Sequence, residues 1–145
     1  MIVVRAATEE DMPRILEIEK ETISPPWTHG GLLSEIHSED SYFALAIENS
    51  TILGFIILRR MADESELLQI AIDETYRRKG AAETLIKAAF NWAHINEIST
   101  IYLEVRKSNE AAIALYKKHS FKESGQRKNY YTEPVEDALI MVKNT

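Results

Sequence analysis

Leu67-Leu68-Gln69-Ile70-Ala71-Ile72-Asp73-Glu74-Thr75-Tyr76-Arg77-Arg78-Lys79-Gly80-Ala81-Ala82-Glu83-Thr84 is a strand, a turn and a helix start in succession. The apolar run Leu67 to Ile72 breaks at Asp73-Glu74-Thr75 and yields to a basic turn of small residues, Arg77 to Ala82. A long amphipathic helix departs from it. The first N–H groups of a helix have no internal partner and sit at the positive end of its dipole, so a strand feeding such a turn builds an anion site. Gly80 lets the backbone approach a phosphate with no Cβ in the way, and Arg77, Arg78 and Lys79 add full charges. On these grounds alone, a basic surface turn capping a core helix explains the stretch equally well.

Working outward, Ala82, Leu85, Ile86, Ala89, Phe90 and Ala93 recur at helical spacing and predict the buried stripe of the helix. Thr100 to Arg106 follows as a strand. A strand, a helix and a strand in close order predict a right-handed βαβ unit with two parallel neighbouring strands. A further helix is expected from about Asn109 to Lys118, then an antiparallel pair, Phe121 to Tyr131 and Glu136 to Val142, around Thr132-Glu133-Pro134. Upstream, Ile2 to Ala6 is a strand, and Thr8 with Asp11 forms a capping-box-like helix start. Met12, Ile15, Leu16 and Ile23 give that helix its apolar face. Pro25-Pro26 stops it, and a second helix runs from His29 or Gly31 to His37. Tyr42 to Ile47 and Ile52 to Arg60 form a hairpin. The expectation is an α/β fold, one domain over residues 1–145.

Composition excludes several classes. The chain has 145 residues, 45% hydrophobic and 28% charged, as in ordinary globular proteins. A formal charge of −6 argues against direct nucleic-acid binding. No signal peptide opens the chain and no apolar run approaches the ~20 residues of a membrane span, which points to the cytoplasm and away from the membrane. With no cysteine there is no disulfide, thiolate metal site or cysteine nucleophile. His29, His37, His94 and His119 show no metal-ligand spacing, so no metal is expected.

In the strand Ile101 to Arg106, Ile101, Leu103 and Val105 share one face, while Tyr102, Glu104 and Arg106 share the other. Inner parallel strands are apolar on both faces, so three polar residues in a row predict a face bordering a cleft. An edge-strand glutamate in solvent is the plain alternative.

Arg77-x-x-Gly80-x-Ala82 resembles the Q/R-x-x-G-x-G/A pyrophosphate loop of the GNAT superfamily of N-acetyltransferases. Leu103-Glu104-Val105-Arg106-Lys107-Ser108-Asn109 through Ala112, Leu115-Tyr116 and Phe121 resembles the LEVR-x-SN-x-x-A-x-x-LY-x-x-x-GF signature of its ribosomal-protein alanine N-acetyltransferase branch. Arg127-Lys128-Asn129-Tyr130-Tyr131, Glu136-Asp137-Ala138 and Pro26-Trp27 extend the likeness.

The resemblance implies a mixed, twisted sheet of about seven strands flanked by about four helices, with a splayed parallel pair holding acetyl-CoA. It places Glu104 as general base and Tyr116 as general acid. Arg77, Arg78, Lys79, Gly80, Ala81 and Ala82 would grip the pyrophosphate, and Asn109, Ala112 and Tyr116 would lie along the pantetheine arm. Ile70, Ala71 and Ile72 would offer backbone groups to it, with an N–H near Ile72 toward the developing oxyanion. Trp27, Tyr130 and Tyr131 are candidates for the acceptor groove. Asn109 also suits a helix N-cap, Tyr116 also suits the core, and the three aromatics also suit a lid or core.

The acceptor implied by the resemblance is a protein N-terminus, that of a ribosomal protein beginning with Ala or Ser. An α-amine of pKa near 7.7–8.0 is roughly a tenth to a fifth neutral at pH 7, whereas a lysine amine needs more help. Lysine side chains, small amines and a non-catalytic CoA-binding module stay open as alternatives, and a monomer or weak dimer is expected. The family's Gly before the Phe is Ser120 here, where a left-handed residue would cost about 1 kcal/mol.

Overall fold

The computed structural model describes residues 1–145. Its sheet is built around β3 (Thr51–Met61), where Leu53, Phe55, Ile56, Ile57 and Leu58 are all buried. A strand apolar on both faces has to be covered from both sides. β2 (Ser41–Glu48) pairs with β3 through a tight turn in which Asn49 and Ser50 both take positive φ (50° and 66°), the backbone that two-residue hairpins favour. β1 (Val3–Ala6) pairs with β2, and β4 (Glu64–Ile72) with β3. β5 (Thr100–Arg106), β6 (Lys122–Tyr131) and β7 (Glu136–Asn144) complete seven strands in the order β1-β2-β3-β4-β5-β7-β6. The β4–β5 pair alone is parallel. β7 lies inside, between β5 and β6, and leaves the polar, exposed β6 at the edge, where charge protects unpaired backbone.

On one face α3 (Ala81–Ile95) lays Leu85, Ile86, Ala89 and Ala93 against Leu53, Ile56 and Leu58. Each fully buried Leu or Ile stabilises the fold by about 1.5–3 kcal/mol. The expected stripe is corrected at its start. Ala81 is buried and Ala82 and Phe90 are only partly so, because the helix begins at Ala81 and turns Ala82 toward the cleft. On the other face α1 (Met12–Thr22) and α2 (His29–His37) bury Met12, Ile15, Ile18 and Leu32 against Phe43, Leu45, Phe55 and Ile57. Thr8 opens a 3-10 turn, Glu9–Asp11, and not α1 itself, whose N-cap is Asp11; the Thr8 N–H and hydroxyl both donate to Asp11 Oδ2 (2.8 and 3.0 Å). Arg5 clamps the same carboxylate through two bonds (2.8 and 2.9 Å) and holds its pKa down to about 2. α4 (Glu110–Lys118) connects β5 to β6.

Candidate active site

β4 and β5 pair only from Glu64 opposite Thr100 to Leu67 opposite Leu103. Beyond that they part, although β4 stays on β3 as far as Ile72 and β5 stays on β7 as far as Arg106. The parting begins where the β3–β4 register shifts and Leu68 becomes an extra residue, a bulge that bends its strand. Asp73 N–H donates to the Leu53 carbonyl (2.9 Å). By antiparallel alternation, Ile70 and Ile72 then turn their backbone groups away from β3 and into the gap. Ala71 bonds toward β3, and its side chain is buried under α1 and α2. Of the three residues expected to serve a cofactor through backbone, Ile70 and Ile72 line the gap and Ala71 does not.

The gap opens into a cavity of about 1090 Å³ closed at one end by the basic loop. A 3-10 turn, Glu74–Tyr76, follows β4, capped by Asp73, whose Oδ1 accepts the Thr75 N–H (2.9 Å) and whose Oδ2 is held by Arg14 (2.5 Å). Arg78 (φ 66°) and Gly80 (φ 87°) then turn the chain into α3. The first helical bond is Thr84 N–H to the Gly80 carbonyl, so the N–H groups of Ala81, Ala82 and Glu83 are free of the ladder. Arg77, Arg78, Gly80, Ala81 and Ala82 line the cavity. Lys79 does not: it turns outward to Glu48 (3.1 Å). Lys79, grouped by the sequence with the anion-gripping residues, thus stands apart from the cavity lining. Free amides, two guanidinium groups and a glycine with open space where a Cβ would stand fit a pyrophosphate.

Glu104 and Tyr116 line the same cavity, with Ala112 and Asn109. Asn109 caps α4, its Oδ1 accepting the Ala112 N–H (3.1 Å). Tyr116 is 6% exposed and packs its ring edge-on to Phe121 at 5.7 Å. Burial, with Tyr131 adding to it, pushes its pKa well above the usual tyrosine range, so the hydroxyl keeps its proton. The Glu104 side chain is 14% exposed, and its Oε2 has no hydrogen bond although Arg127 Nη1 stands 3.3 Å away.

A second, smaller cavity of about 200 Å³ adjoins at Glu104, walled by Trp27, Tyr130 and Tyr131. Burial and the Glu104 charge push the Tyr131 hydroxyl up to about 12. All three aromatics expected at the acceptor groove meet there. Trp27 arrives on a loop tied down from below. Its backbone N–H donates to Glu19 Oε2 (2.8 Å), which also accepts from the Gln69 side-chain amide (3.0 Å).

Sequence reasoning missed Glu19, Glu66 and Arg127 as parts of this site, and it placed Arg106 on the cleft face without its contacts. Glu19 carried a signal, being a carboxylate inside the apolar stripe Met12, Ile15, Leu16, Ile23. Arg106 donates to the carbonyls of Thr132 (2.9 Å) and Pro134 (2.9 Å) and stacks over Tyr131 at 4.6 Å, which pins the β6–β7 turn beside the cavity. No group of three or more His, Cys, Asp or Glu stands together to hold a metal ion. No helix is long and apolar enough to cross a membrane.

The profile of the acetyltransferase (GNAT) family matches residues 12–121. The [ribosomal protein bS18]-alanine N-acetyltransferase of Haemophilus ducreyi is 35% identical over 142 residues, 95% of this chain and 97% of that protein. Among solved structures, the ribosomal-protein-S18-alanine N-acetyltransferase of Escherichia coli superposes with TM-score 0.92 at 32% identity, covering 99% of this chain and 94% of that one. The PaiA N-acetyltransferase of Thermoplasma acidophilum, in complex with coenzyme A, superposes with TM-score 0.84 at 25% identity, over 100% and 99%.

Proposed function

Since the chain belongs to the acetyltransferase (GNAT) family, we propose that residues 1–145 act as a single N-acetyltransferase domain that moves acetyl from acetyl-CoA to the N-terminal α-amine of a protein. The acceptor is a ribosomal protein beginning with Ala or Ser, a reading supported for Ala by the relatives' being ribosomal protein S18-alanine N-acetyltransferases, and the reaction takes place in the cytoplasm. The observation that carries the reading is the meeting of Glu104 and Tyr116 on one cavity where β4 and β5 part.

Acetyl-CoA supplies an activated thioester. The residues of the chain supply the rest. Arg77, Arg78 and the free amides of Ala81 and Ala82 hold the pyrophosphate, and the Ile70 and Ile72 backbone groups align the pantetheine arm between the strands. Trp27, Tyr130 and Tyr131 wall the acceptor's approach. Glu104 takes the proton that the amine must lose, and Tyr116, protonated at neutral pH, returns one to the departing thiolate.

Thiol release with a short Ala-started basic peptide tests this. Blocking the peptide N-terminus is expected to abolish turnover, and Glu104→Gln and Tyr116→Phe each to cut kcat about tenfold or more with acetyl-CoA affinity kept. Turnover that survives blocking moves the acceptor to lysine or a small amine. Acetyl-CoA binding with no turnover on any amine leaves a non-catalytic binding module.

A further inference from the structure

Glu66 has no task in the reaction just described, yet it lines the smaller cavity with Glu104. It stands opposite Tyr102 across the parallel pair, so its side chain shares the face of Tyr102 and Glu104. From strand spacing, the Glu66 and Glu104 Cα atoms are roughly 8 Å apart. Long side chains on one sheet face reach across such a diagonal, so one cation can pass from one carboxylate to the other.

The cation is present. Arg127 reaches in from β6, its Nη1 3.3 Å from Glu104 Oε2 and its guanidinium 5.1 Å over the Tyr130 ring. It is loosely held: the Arg127 side chain is 55% exposed, and the buried Glu104 Oε2 receives no aligned hydrogen bond. The other nearby cations are committed. Arg59 is paired with Glu35, and Arg106 is bound to the Thr132 and Pro134 carbonyls and to Glu136.

We propose that Glu66 is a positioning residue that receives Arg127 when the acceptor's ammonium takes the place of Arg127 beside Glu104. The inference rests on Glu104 being the base. The two carboxylates and one guanidinium leave one uncompensated negative charge, which a single ammonium neutralises. Once the proton has passed from the ammonium nitrogen to the Glu104 carboxylate, both of those groups are neutral and Glu66 with Arg127 remains a matched pair. No step strands a partly buried charge, the situation that costs most. Burial and then the Glu104 charge raise the pKa of Glu66, against the opposing charges of Arg59 and Arg127 and a hydrogen bond from Tyr102. Without Glu66, Glu104 is the one carboxylate left to Arg127, and Arg127 competes with the acceptor.

Steady-state kinetics with the Ala-started peptide tests the exchange. Glu66→Gln is expected to raise the peptide KM about tenfold while kcat falls less than about threefold and the acetyl-CoA KM holds. Glu66→Asp should recover most of the loss, and Glu64→Gln, on the exposed start of β4, should leave the peptide KM alone. The decisive variant is the double one: adding Arg127→Gln to Glu66→Gln removes the competitor and should bring the peptide KM back to within about threefold of wild type. A peptide KM unmoved by Glu66→Gln, or a double variant no better than the single one, overturns the inference while the base assignment stands. Full activity in Glu104→Gln overturns the base assignment and this inference with it.

Discussion

Ser120 sits at φ 74°, in the left-handed region, one residue past the cap of α4. The helix nevertheless ends in a Schellman motif: Phe121 N–H donates to the Tyr116 carbonyl (3.0 Å) and Ser120 N–H to the Lys117 carbonyl (3.1 Å). The apolar contact that accompanies the motif is Phe121 against the Tyr116 ring itself. The departure from glycine therefore costs strain but leaves the Tyr116 backbone in register. Ser120→Gly should stabilise the protein by about 1 kcal/mol, seen as a rise in thermal midpoint of about 2–4 °C. At this scale the sequence was informative about residue type and silent about contact. Glu104 and Tyr116 were legible from their motif, whereas Arg127 gave no sign of reaching Glu104, because the two lie on different strands 23 positions apart.

The turn from β4 into α3 was legible as an element. Its basic run, Gly80 and the helix start all occur where the reading put them. What escaped was the direction of each side chain. Three consecutive cations read alike, but the left-handed turn at Arg78 keeps Arg77 and Arg78 on the cavity and sends Lys79 to Glu48. Isothermal titration with CoA should separate them. Arg78→Ala is expected to weaken binding about tenfold, the loss of one charge-assisted contact, while Lys79→Ala stays within about twofold, as an exposed ion pair implies. Comparable losses from both would mean that Lys79 leaves Glu48 to meet the ligand.

Across the whole molecule, the two halves of the site are joined through Glu19. This buried carboxylate on α1 ties the Trp27 loop to Gln69 on β4, leaving its Oε1 and that of Gln69 without partners. Burial raises the Glu19 pKa above the ordinary carboxylate value, against the opposing bonds from Trp27 and Gln69. The folded chain thus holds this proton to higher pH than the unfolded chain does. The stabilising share of Glu19 is present at low pH and is lost as pH rises through its raised pKa. Urea midpoints from about pH 4 to 8 should fall less steeply with pH in Glu19→Gln than in wild type, and equal slopes would discard the assignment.

The α/β class, the order of elements, the basic strand-turn-helix at Gly80 and the types of the residues placed at the candidate site were determined by the sequence alone. Periodicity, helix caps and small-residue turns are local and act within a few positions. The placement of β7 inside β6, the parting of β4 from β5 beyond Leu67 and the meeting of Glu104 with Glu66 on one cavity and with Arg127 were decided only in the tertiary structure. Which strands neighbour one another, and which charges share a cavity, depends on burying both faces of one sheet at once, and no local pattern encodes that.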